Sequence, residues 1–95
     1  MSHLDDLIAR NFEASRSAAV VAVEQELERA YAKHGREPWG LHEFYVILKE
    51  KVDELWDAIK ADEPTERVLT EAVQVAAVCF RYMETGDRYR GAHGD

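Results

Sequence analysis

Two stretches of the sequence place acids at helical spacing: "LKEKVDELWDAIK", residues 48–60, and "LTEAVQVAAV", residues 69–78. Carboxylates three or four residues apart share one face of a helix. Two such faces set against each other suit a hard divalent cation, which prefers oxygen ligands. Here a lysine, Lys51, and a glutamine, Gln74, interrupt the acids. The readings on offer are a metal site, a buried ion pair left in its place, or an ordinary pair of charged helix surfaces.

The helical positions sort these residues. At about 100° per residue, with the apolar stripe of the first stretch set at zero, Glu50 falls on the solvent side with Asp57 and Glu43 near it. Lys51 and Glu54 flank the stripe, so they are the residues expected to look across at a neighbour. In the second stretch Glu71 has Val68, Val75 and Val78 around it, and Gln74 follows one turn on. Burying a carboxylate in such a setting without a partner costs several kcal/mol. The simplest partner is the Lys51/Glu54 edge, if the two helices run antiparallel across residues 61–64.

Glycine and proline punctuate the elements that must hold these residues. "HGREPWG", residues 34–40, separates a first helical segment, about Leu4 to Lys33, from a second, about Leu41 to Lys60. "ADEP", residues 61–64, precedes a third, about Pro64 to Glu84, with the proline in its first turn. In the first segment Ala19, Val20, Val23, Leu27, Ala30 and Tyr31 recur at three and four residues. Leu4 to Phe12 reads as a separate short helix, with a bend at "ASRS". The second segment carries Leu41, Phe44, Tyr45, Leu48, Val52, Leu55, Trp56 and Ile59 on one stripe. The middle of the third, "AVQVAAVCF", is apolar nearly all round. No strand pattern competes. The expected fold is all-α, a bundle of three to four helices in one domain over residues 1–95. Residues 1–15 form an N-terminal helix or arm, 16–84 the core helices and 85–95 a mobile tail.

Composition bounds the function. Apolar residues make up 46% of the 95 residues and charged ones 33%, a globular balance. The net charge of −7 argues against a broad basic face for nucleic acid. No apolar run nears the roughly 20 residues that span a bilayer, and the start lacks a signal-peptide pattern. The single cysteine, Cys79, has no internal disulfide partner and reads as a small buried apolar residue. A cytoplasmic protein that contacts neither nucleic acid nor membrane is expected.

The layout resembles the MazG-like, all-α nucleoside triphosphate pyrophosphohydrolases. The resemblance spans about residues 20–84: the helix leading to "KHG", the "PWG" before the second helix, "LKEKVDELWDAI" and "TEAVQVAAV". That family carries Glu-Glu-x-x-Glu on one helix and Glu-x-x-Asp on the next. Glu50 takes the first acidic position, Lys51 the second, Glu54 the third, Glu71 the fourth and Gln74 the last. The resemblance implies magnesium, or manganese, held by Glu54, Glu71 and weakly Gln74. Glu50 would help to orient water, and a nucleoside triphosphate would yield a monophosphate and pyrophosphate. It also implies a homodimer or homotetramer whose subunits complete one another's bundle.

Four inward carboxylates would carry four charges; Lys51, Glu54, Glu71 and Gln74 carry a single net negative one. The alternative is thus a non-catalytic relative, nucleotide-binding or structural. In it Lys51 stands in the metal's place and bridges Glu54 and Glu71. Trp39 has two readings, a stacking face for a nucleobase beside Lys51 or a residue that packs the start of the second helix. Trp56 reads as core or dimer interface. Arg81, Arg88, Arg90, Lys33 and Arg36 read either as phosphate contacts or as solvated helix ends. The four histidines, His3, His34, His42 and His93, show no ligand spacing.

Overall fold

The helices stop where glycine and proline stand. A computed structural model describes residues 15–86, as three α-helices with no strand among the described residues. They are α1 (Ser15–His34), α2 (Leu41–Lys60) and α3 (Thr65–Thr85). The short helix expected over Leu4–Phe12 and nearly all of the expected tail, with Arg88 and Arg90, lie outside the described residues. None of the described helices is long and apolar enough to cross a membrane.

α1 ends in a left-handed turn. Gly35 has φ +81°, and its N–H donates to the Tyr31 carbonyl at 2.8 Å. Glycine reaches that region without the clash that a Cβ brings. α2 ends in a Schellman arrangement: the Asp62 N–H donates to Ile59 and the Glu63 N–H to Ala58, both at 3.1 Å. Asp62 takes the left-handed position at φ 55°, which a short polar side chain tolerates. Pro64, extended at ψ 151°, then caps α3 from outside its first turn.

α1 and α2 each pack on α3 and, among the described residues, not on each other. On one side Tyr31 of α1 donates its hydroxyl to the Glu84 carboxylate of α3 at 2.7 Å. Burial and then that bond push the tyrosine's pKa up. On the other side Phe44 of α2 stacks on Tyr82 of α3, with ring centroids 4.3 Å apart. The core between them is thin. Ala22, Leu27, Tyr31, Ala58, Ala77 and Val78 are buried, and no large side chain among the described residues is fully enclosed.

Several residues expected in the stripes face outward instead. Val20 of α1 is exposed, as are Leu41, Tyr45, Val52, Trp56 and Ile59 of α2. The apolar arc of α2 is wider than one neighbour covers. α3 meets its Phe44, Leu48, Leu55 and Ala58 edge and leaves the other edge open. Trp56, at 53% exposure, is therefore no core residue of the single chain. α3 likewise keeps Phe80 and Met83 exposed, and Cys79 is only half-buried.

The two glycines flanking the α1–α2 connection make unequal demands. Gly35→Ala forces an alanine to positive φ and is expected to lower stability by about 1–2 kcal/mol. Gly40, at φ −72° with open space around it, is expected to accept alanine with under about 0.5 kcal/mol of change. Urea denaturation of the two variants followed by helical circular dichroism makes the comparison.

Candidate functional site

Because α1 and α2 diverge over α3, a cleft of about 440 Å³ opens between them. Gln74, Ala77, Val78 and Arg81 of α3 form its floor. α1 contributes Leu27 and the Glu26–Arg29 pair, α2 contributes Ile47 and Lys51, and the connecting segment closes one end with Glu37, Pro38 and Trp39. The volume lies within the range of small-molecule sites, about 300–1,000 Å³.

Arg81 is the residue around which this end is built. It is 6% exposed. Its guanidinium lies 4.1 Å from the centroid of the Trp39 ring and 5.6 Å from that of Tyr31. One amino group donates to the Glu37 carbonyl at 3.3 Å, while the Nε–H is buried with no partner. No carboxylate among the described residues forms an ion pair with it. Arg36 covers Tyr31 from its own position, 4.0 Å from the centroid. Of the arginines read as solvated helix ends, Arg81 is buried. The signal was present in the sequence: Glu71, Gln74, Val78 and Arg81 follow one another at three and four residues, so Arg81 continues the inward face.

The other cations of the cleft are already engaged. Arg29 donates its Nε–H to Glu26 at 2.9 Å, which raises the arginine's pKa. Lys51, half-buried, has its ammonium 3.5 Å from the Glu54 carboxylate on the same helix.

The residues singled out for chemistry thus divide. Trp39, Lys51 and Gln74 meet in the cleft. Glu50 is exposed and lines no part of it. Glu54 is exposed and borders a shallower hollow of about 320 Å³ near the α2–α3 turn, with Asp57, Glu63 and Arg67. Glu71 is 3% exposed, the buried carboxylate its apolar neighbours imply. Its partner is Arg67, one turn earlier on α3, at 2.9 Å. The expected Lys51–Glu54–Glu71 bridge is formed only in its Lys51–Glu54 half. The reason is the rotation of α2: its packing edge is Phe44–Ala58, which swings Lys51 toward the cleft and Glu54 toward solvent.

Magnesium or manganese was the cofactor that the resemblance implied. Among the described residues no three Asp, Glu, His or Cys side chains gather within reach of one ion. Glu71 has one oxygen on Arg67 and the other, Oε1, buried without a partner. Glu54 faces a lysine. Gln74 lines the cleft while Glu54 borders the other hollow, so these expected ligands stand at different places.

Compared with known proteins, the chain matches no family model, no curated protein and no solved structure. Function is read from the cleft's own residues.

The Arg67–Glu71 pair offers a test of how the α2–α3 side is held. Arg67→Met leaves a buried carboxylate without a donor and is expected to cost about 1–3 kcal/mol. Adding Glu71→Leu removes the stranded charge and is expected to recover most of that loss. Denaturant midpoints of the single and double variants decide it.

Proposed function

We propose that the chain is a non-catalytic relative of the MazG-like pyrophosphohydrolases that binds a nucleotide in the cleft between α1 and α2. The observation that carries this reading is the division of the site residues. Those suited to hold a nucleotide, Trp39, Lys51 and Gln74, line one cleft, and the acids suited to hold a metal lie elsewhere. The Trp39 ring offers a base a stacking face, Gln74 offers amide groups to hydrogen-bond it, and Lys51 with Arg81 receives phosphate oxygens. Hydrolysis needs an activated water or a metal beside the phosphates, and among the described residues no three acids, histidines or cysteines gather as a metal-ligand group. Ligands supplied by a second subunit are the route by which the hydrolase reading would return.

The same reading has the chain acting as a homo-oligomer, a dimer or a tetramer. What supports it is the width of the apolar arcs. Tyr45, Val52, Trp56 and Ile59 run along one edge of α2 and Phe80 and Met83 along the back of α3, all exposed. A domain of this size buries only about 60–65% of its unfolded surface, so a second copy covering these edges supplies core that one chain lacks.

Two measurements test the reading. Calorimetric titration with magnesium, manganese and a series of nucleotides, from monophosphates to a non-hydrolysable triphosphate, is expected to show nucleotide binding that does not require metal. Trp39→Ala is expected to weaken it by about 1–3 kcal/mol, the usual worth of a base stack. Saturable metal binding lost in Glu54→Gln or Glu71→Gln would point to the hydrolase instead. For assembly, light scattering is expected to give a mass of two or more chains that falls in Trp56→Glu. A folded monomer at all concentrations would contradict it.

A further inference from the structure

We infer that the cleft is built for a nucleotide bearing one phosphate, anchored on Arg81, and discriminates against the triphosphate. This rests on the reading of the cleft as a nucleotide site and goes further by naming the charge state of the ligand.

A guanidinium with little exposure and no counter-charge is an unbalanced group, because removing a cation from water costs free energy unless a partner replaces the lost hydration. Arg81 is in that position. The Trp39 and Tyr31 rings hold it from their faces, and rings compensate a cation only in part. Stacking also fixes its orientation, and only the bond to the Glu37 carbonyl occupies its rim of donors. An oxyanion taken in the plane of a fixed guanidinium can make paired hydrogen bonds, a geometry suited to phosphate.

The charges around it decide how much anion the cleft accepts. Its cations are Arg29, Lys51 and Arg81; its acids are Glu26, Glu37 and Glu43. Arg29 is held by Glu26 and Lys51 is drawn toward Glu54, so of these three cations Arg81 is the one that forms no ion pair among the described residues. Glu37 and Glu43 are exposed at the rim, and the chain as a whole carries −7. A single phosphate, about −1.5 to −2 at pH 7, is matched by Arg81 with help from Lys51. The further phosphates of a triphosphate would approach the rim carboxylates Glu37 and Glu43. Like-charge contacts of that kind are a means of rejecting a ligand, not only of failing to hold it.

The experiment is calorimetric titration of the full chain with adenosine, adenosine monophosphate and adenosine triphosphate, then with the corresponding guanine and pyrimidine series, all with chelator present. The expected result is a monophosphate that binds at least tenfold more tightly than both its nucleoside and its triphosphate. Arg81→Lys keeps the charge but loses the planar donors, and is expected to reduce monophosphate affinity about tenfold, more than it reduces nucleoside affinity. Should that variant misfold by circular dichroism, the ligand ranking on the unaltered protein still decides, and Lys51→Met, expected to weaken monophosphate binding by a smaller factor, gives a second reading. A triphosphate that binds as tightly as the monophosphate, or more so, overturns the inference and leaves the nucleotide reading standing. Equal affinities for nucleoside and monophosphate overturn it too. Flat titrations with every nucleoside and nucleotide overturn the nucleotide reading itself, and this inference with it.

Discussion

One buried guanidinium ties the described fold together. Arg81 stands on α3, lies against Tyr31 of α1 and the Trp39 ring, and donates to the carbonyl of Glu37. α1 and α2 do not pack on each other, so the segment between them is held in place largely through this residue. That role sets a constraint. The guanidinium is buried, and among the described residues no carboxylate forms an ion pair with it. On the reading proposed above, this buried cation where the cleft opens is the place for an anion.

The geometry of the cleft follows from the same arrangement. With α3 central and a helix on either side, the space between α1 and α2 is left open instead of being filled by side chains. α1 packs on α3, and the small residues Ala22 and Ala77 are buried. The aromatic pair Phe44 and Tyr82 holds α2 to the other side of α3. Each contact is local, and the core is correspondingly thin. The unpartnered edges of α2 and α3 are the other consequence of three helices sharing so little buried surface.

The helix boundaries were legible because they rest on local chemistry. Gly35, Asp62 and Pro64 end or begin elements through backbone preferences that need no tertiary context. Glu71 was also legible, since valines at −3, +4 and +7 fix its environment on the helix. Which edge of α2 would meet α3 was not. Its apolar residues cover so wide an arc that the centre of the arc and the direction of packing differ, and Lys51 and Glu54 turn with that difference. The Glu71 partner went with it: Arg67, four residues earlier, lies within reach on the same helix whatever α2 does. Arg81 was read either as a phosphate contact or as an end-of-helix cation, although its spacing from Gln74 and Val78 placed it on the inward face. Residue type outweighed position in that reading. The MazG-like resemblance remains a resemblance carried by the motif residues. Its nucleotide-binding side is the one proposed above for this chain.

The central claim is that ligand chemistry occurs at the Trp39–Arg81 end of the cleft and not among the acids of α2. The most direct measurement is nuclear magnetic resonance of the indole and guanidinium N–H groups as a nucleoside monophosphate is added. The chain has two tryptophans, one in the cleft and one, Trp56, exposed on the open edge of α2, so each spectrum carries its own control. The account expects the Trp39 indole and Arg81 Nε–H signals to move together and saturate while the Trp56 indole stays in place. Movement confined to Glu50, Glu54 and Glu71 backbone signals, and only when magnesium is present, would contradict it.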